Sequence, residues 1–126
     1  MIRGTSNAVV IRGGISRTAE MVQRQLLDAI EDGYGPVLSV FLDDPRRDET
    51  VEQVILRVCR GAGILNGKIQ ISSVGTLVEA GFELVHDDSD GMHETHHDVV
   101  FPNTTDIQWC QAFVDSFSEP RPNPAK

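Results

Sequence analysis

The chain has 126 residues, of which 40% are hydrophobic and 24% are charged, the balance found in ordinary globular domains. Two cysteines are too few for a disulfide scaffold, and no apolar run approaches the roughly 20 residues of a membrane helix. We therefore expect one folded domain over residues 1–118, with no membrane partner. No secretion signal is recognisable at the N-terminus, so we expect the cytoplasm as its location.

The first half of the chain predicts a strand, a helix, a second strand and a second helix. Residues 7–12 and 37–42 are the strands, and the second is an almost unbroken apolar run, as in strands buried on both faces. Apolar residues at three- and four-residue spacing mark the two helices. These stripes are Ala19, Val22, Leu26, Ala29 and Ile30 in the first helix, and Val51, Val54, Ile55, Val58 and Cys59 in the second.

The second half predicts three shorter strands and two more helices. Residues 68–72 form a strand, Ser73 caps a short helix that ends at Gly81, and residues 82–86 and 95–101 form antiparallel neighbours. Thr104 or Thr105 is expected to cap the final helix. The inward-facing positions of that helix are Ile107, Cys110, Phe113, Val114 and Phe117.

The order β-α-β-α-β-α-β-β-α predicts an α+β (or α/β) domain, with a mixed sheet of about five strands and three to four amphipathic helices. Both cysteines lie on apolar helix stripes, where free cysteine behaves as a small buried hydrophobe. Residues 119–126 contain three prolines and are expected to form a flexible tail.

Charge is distributed unevenly along the chain. Residues 1–68 hold nine basic and nine acidic residues, whereas residues 69–120 hold ten acids and no lysine or arginine. A negative surface repels nucleic acid and attracts basic proteins. The sequence therefore predicts a non-enzymatic interaction module, of the immunity, antitoxin or accessory-subunit type, that docks on a basic protein. The expected partner-binding residues are Glu83, Asp87, Asp88, Asp90, Glu94 and Asp98, with Trp109 added if its face is exposed.

All four histidines fall within residues 86–97 and give the alternative prediction, a small metal-assisted hydrolase built on the segment from His86 to Asp98. Histidine is the commonest transition-metal ligand, and nearby carboxylates could complete the site. Adjacent residues of a regular strand point to opposite faces, so His96 and His97 are not expected to bind the same ion. The candidate ligands are His86, His93, His96 and His97. Beyond them the sequence assigns no catalytic residue and no cofactor.

A third prediction comes from a resemblance. Residues 77–102, with the run Ala80-Gly81-Phe82-Glu83-Leu84-Val85 followed by a histidine-bearing strand, are similar to the core of the HicA family of small RNA-cleaving toxins. The resemblance covers about a fifth of the chain and implies a catalytic histidine at His93, His96 or His97. The Gly-Ser-His sequence that carries this histidine in the family is absent here.

Overall fold

The structure is a computed structural model that describes residues 4–102 and 105–126. Within these residues the helices and strands follow the predicted order as far as the last helix, after which there is one additional strand. The elements are β1 (Val9–Gly13), α1 (Ala19–Glu31), β2 (Val37–Asp43), α2 (Val51–Gly61), β3 (Lys68–Ser73), α3 (Val74–Glu79), β4 (Glu83–His86), β5 (His96–Val100), α4 (Ile107–Asp115) and β6 (Arg121–Pro122).

The strands form one sheet in the order β4-β5-β2-β1-β3-β6. Every neighbouring pair is antiparallel, so the α+β class is confirmed, although the sheet has six strands and is not mixed. The predicted pairing of β4 with β5 is also confirmed. Because β5 lies between β4 and β2, its residues from His97 to Val100 have a ladder partner on both sides. This central position of β5 organises the candidate site described below.

Helices cover both faces of the sheet, so there are two hydrophobic cores. The larger core joins α1, α3 and α4 to one face, and the smaller core joins α2 to the other. Along β2, Leu38, Val40 and Leu42 point into the larger core, while Phe41 packs against the smaller one. Burial of β2 on both faces was predicted, but Ser39 is exposed. The exposed stretch of β2 around Ser39 leaves room for a pocket.

Side-chain caps fix where the helices begin. Thr18, Thr50 and Ser73 each accept a hydrogen bond from a backbone N–H in the first turn of their helices, as predicted. Thr50 also forms a reciprocal capping box with Gln53. Helix α4 is instead capped by Asp106, whose carboxylate accepts from the N–H of Gln108; Thr104, one of the two predicted caps, lies outside the described residues.

Three predicted core positions are exposed: Ile30, Val51 and Ile107. Each lies in the first or last turn of its helix, and the rest of each stripe remains at least partly buried. Cys59 and Cys110 are buried and free, as expected. None of the helices within residues 4–102 and 105–126 is long and apolar enough to cross a bilayer.

Residues 119–126 are not a separate tail. Arg121 pairs with Ile69 to extend the sheet beyond β3, and Asn123 is buried. The Asn123 side-chain amide donates to the backbone carbonyls of Ile64 and Asn66, both at 3.0 Å. Proline-rich composition suggested flexibility, but these hydrogen bonds satisfy the backbone at the turn before β3 and fasten the segment to the domain.

Candidate functional site

A pocket of about 330 Å³ lies where the end of α1, the first half of β2, the loop after β4 and the strand β5 meet. Both polar and apolar side chains line it. The lining residues are Ala29, Tyr34, Val37, Ser39, Asp87, Met92, His96 and Asp98. No lysine or arginine is among these described residues.

The strand register explains why two of these polar residues share one face. Asp98 lies directly opposite Ser39, and His96 lies opposite Phe41. Residues two apart on a strand point the same way, so the side chains of His96 and Asp98 both lie on the face where Ser39 interrupts the apolar covering. The His96 ring is almost fully buried and meets the Phe41 ring edge-on, with ring centroids 5.3 Å apart.

Asp87 comes directly after β4 and forms a group of three polar side chains with His96 and Asp98. Its backbone N–H donates to the carbonyl of His96 at 3.0 Å, which continues the ladder by one residue. One carboxylate oxygen, Oδ1, accepts from the N–H and the hydroxyl of Ser89. The other, Oδ2, lies 2.9 Å from Nδ1 of His96. The hydrogen bonds from Ser89 lower the pKa of Asp87, which keeps this carboxylate ionised.

The three side chains Asp87, His96 and Asp98 each offer a ligand atom, and these atoms lie within 4.8 Å of one another. Burial is the main cause that raises the pKa of Asp98, the charge of Asp87 raises it further, and His96 opposes the rise. Although Nδ1 of His96 is close to Asp87, it is not aligned for a hydrogen bond, and it is a buried atom without a hydrogen-bond partner.

His86 and His97 lie on the other face of the sheet. They are partners across the β4–β5 ladder, with ring centroids 4.8 Å apart. Nε2 of His86 donates to the carbonyl of Glu94 at 2.9 Å, and Nδ1 of His97 donates to the carbonyl of Thr95 at 2.8 Å. Both bonds stabilise the ends of the loop between β4 and β5, so His86 and His97 have a structural role there.

His93 is placed apart from the other three histidines. Its Nδ1 lies 2.8 Å from the hydroxyl of Thr95, and its ring lies beside Gly61 at the end of α2. The structure therefore brings one of the four predicted metal ligands, His96, together with two acids, Asp87 and Asp98, that were predicted to bind a protein partner. The spacing of His96 and Asp98, two apart on a strand, was the sequence signal for this grouping.

The remaining predicted partner-binding acids face solvent. Glu83, Asp88, Asp90 and Glu94 are exposed, at the start of β4 and in the loop after it. We call these four residues the acidic surface. Trp109 does not join them, because its ring packs edge-on against Phe82 in the larger core.

Two arginines, Arg57 and Arg121, form ion pairs with acids that lie outside residues 69–120, the stretch without lysine or arginine. Arg57 forms ion pairs with Asp43 and Glu49, both at 2.9 Å, and Arg121 pairs with Glu52. In the described part of the chain, no lysine or arginine lies within ion-pair distance of Glu83, Asp88 or Asp90. The negative charges of these three acids are therefore not neutralised by a lysine or arginine of the described residues.

No protein family, curated protein or solved structure matches this chain significantly. The resemblance of residues 77–102 to the HicA toxins therefore rests on the sequence pattern alone.

Proposed function

We propose that the protein is a small non-enzymatic interaction module that docks on a basic protein through its acidic surface. The observation that carries the proposal is the segregation of charge: described arginines form ion pairs with Asp43, Glu49 and Glu52. The carboxylates of Glu83, Asp88 and Asp90 project into solvent without such pairs among the described residues. Uncompensated charge of one sign accelerates encounter with a surface of the opposite sign.

Exposed apolar side chains at the pocket favour a role in protein docking over a role of the acids in solubility alone. Tyr34 is 74% exposed and Met92 is 51% exposed, and both line the pocket together with Asp87 and Asp98. Aromatic residues and methionine are enriched in the centres of protein interfaces, with polar residues around them. A lysine or arginine side chain of the partner fits this combination of an exposed aromatic ring and nearby carboxylates.

The experiment uses an arginine homopeptide of about ten residues as a probe, because it presents a basic surface of defined composition. Binding to the full chain is measured by fluorescence anisotropy at low and high salt. We expect the affinity to fall at least about tenfold between roughly 50 and 500 mM NaCl, since screening weakens exposed charge pairs. A variant with the acidic surface reduced, Glu83→Gln/Asp88→Asn/Asp90→Asn, is expected to lose a similar factor at low salt.

A second triple variant has the same net charge as the first triple variant, but it neutralises three exposed acids that lie outside the acidic surface. It carries the substitutions Glu20→Gln, Asp48→Asn and Glu119→Gln. We expect this control to bind the peptide almost as well as the wild type. Equal losses in the two variants would show that overall charge, and not the acidic surface, attracts the peptide, and would overturn the proposal.

A further inference from the structure

We propose that Asp87, His96 and Asp98 form a binding site for one divalent transition-metal ion, with Zn²⁺ as the representative ion. The site shares the pocket with the docking function but uses only the two acids that line it, Asp87 and Asp98, whereas the docking experiment changes only residues of the acidic surface, so the two proposals can fail separately. One imidazole nitrogen and two carboxylate oxygens lie within 4.8 Å of one another, and all three residues line the pocket. Histidine nitrogen together with aspartate oxygen is a ligand set that Zn²⁺ accepts.

The buried nitrogen of His96 is incompletely satisfied by the protein. Polar atoms buried in proteins almost always have hydrogen-bond partners, whereas Nδ1 of His96 has an ion-pair contact with Asp87 at 2.9 Å but no aligned hydrogen bond among the described residues. The imidazole is held by the β2–β5 ladder and by Phe41, so it cannot turn away freely. An ion bound between this nitrogen and the carboxylates would satisfy it.

The distances between the three donor atoms and the hydrogen bonds of Asp87 are compatible with a metal site. In a tetrahedral zinc site, ligand atoms about 2.1 Å from the ion lie about 3.4 Å apart. No two donor atoms are more than 4.8 Å apart, so the widest pair needs to close by up to about 1.4 Å. Nδ1 of His96 and Oδ2 of Asp87, which are 2.9 Å apart, need to separate slightly, and Asp87 can supply this movement because it lies in a loop. Ser89 holds the outer oxygen of Asp87, in the way that hydrogen bonds beyond the ligands commonly orient them.

Charge balance supports the same ion. The carboxylates of Asp87 and Asp98 line a pocket whose described lining contains no lysine or arginine, so their negative charges repel each other. A divalent cation would relieve this repulsion. With three protein ligands, a fourth coordination position remains open toward the pocket, as in zinc sites that exchange a water molecule for another ligand.

The experiment titrates the full chain, after treatment with a chelator and its removal, with Zn²⁺ in a calorimeter. We expect one ion per chain with micromolar or tighter affinity, and a rise in the thermal unfolding midpoint, since an ion bound to the native state stabilises it. His96→Ala is expected to weaken binding at least about 100-fold. Asp98→Asn retains the size of the side chain and removes its charge, and is expected to weaken binding about tenfold or more.

His93→Ala and His86→Ala serve as matched controls, because each removes a histidine outside the cluster, and both should bind as the wild type does. Circular dichroism establishes that every variant is folded. If the wild type does not bind Zn²⁺, or if folded Asp98→Asn and His96→Ala bind it unchanged, the cluster is only an ion pair between protein groups. If instead His86→Ala or His93→Ala abolishes binding, the ion lies elsewhere in the histidine segment and the proposed ligand set is wrong.

Discussion

His96 and His97 are consecutive in the chain, yet they point to opposite faces of the sheet. His97 lies against the ring of His86, whereas Nδ1 of His96 lies 2.9 Å from the carboxylate of Asp87. The four histidines of one short segment are thereby divided between anchoring of the loop and the proposed metal-ligand group.

Acid is expected to weaken the domain through Glu49. Hydrogen bonds from the Arg57 side chain, followed by one from the backbone of Arg46, lower the pKa of Glu49 from 4.5 to about 2. A carboxylate with a depressed pKa in the native state stabilises it above the unfolded value, and this contribution is lost as the pH falls toward the native value. We expect urea unfolding of the wild type to show this loss between about pH 4.5 and about pH 2.

Glu49→Gln tests the assignment. The variant is expected to be less stable than the wild type above about pH 4.5, and the difference should shrink as the pH approaches about 2. Asp48→Asn is the control, since this exposed neighbour has a positive φ of 63° that asparagine also adopts. A constant difference between Glu49→Gln and the wild type across the whole range would contradict the prediction.

The two thiols are expected to be unreactive in the native protein. Burial raises the pKa of Cys59 to about 11, and burial is also the main cause that raises the pKa of Cys110. Because the thiolate is the reactive species, an aromatic disulfide reagent near neutral pH should modify neither residue until urea unfolds the chain. The unfolded chain should then release two equivalents of chromophore; rapid modification without denaturant would show an accessible thiol.

Gly81→Ala is expected to destabilise the junction between α3 and β4. Gly81 has a φ of +102°, and a Cβ atom there would lie 2.9 Å from the Trp109 ring. The backbone conformation alone costs an L-residue about 1–2 kcal/mol, and contact with the ring adds to it. Gly67→Ala is the control, because nothing lies within 4 Å of its Cβ position and its φ is not positive. The chain has one tryptophan, so its fluorescence should change in Gly81→Ala and not in Gly67→Ala.

Asn123→Ala tests whether residues 119–126 belong to the folded domain. The substitution removes the donor for the carbonyls of Ile64 and Asn66, and leaving buried carbonyls unpaired costs about 1–3 kcal/mol. We expect a lower urea midpoint for Asn123→Ala. The control Lys126→Ala, at an exposed position of the same segment, should change the free energy of unfolding by less than about 0.5 kcal/mol. A wild-type midpoint for Asn123→Ala would indicate that the segment adds nothing to stability.

The architecture could be predicted because its signals are local. In α2, Val54, Ile55, Val58 and Cys59 recur at helical spacing and are buried, and the cap at Thr50 needs only residues within one turn. The same local signals do not show which helix ends are left uncovered by the rest of the domain. They therefore do not predict that Val51 is exposed. Strand β6 has two residues, Arg121 and Pro122, too few to form any periodic pattern.

The candidate site depends on contacts that spacing alone does not contain. The spacing of His96 and Asp98 places them on one face of β5, but Asp87 joins them only because β4 pairs with β5 so that His86 lies opposite His97. The exposure of Ser39 depends on how far the helices cover β2. These are relationships between distant parts of the chain, and a single sequence with no matching relative does not reveal them.

The two margins of the sheet differ in how they would meet another molecule. Along β3, the pairing of Lys68 and Ile69 with β6, and the hydrogen bonds between Ile71 and Ser118, occupy backbone groups that could otherwise recruit a strand from a second copy. At the opposite margin, β4 begins with Glu83 and is followed by Asp87 and Asp88, so two copies aligned there would bring like charges together. Self-association into growing fibres is thus discouraged by occupied backbone groups on one side and by charge repulsion on the other.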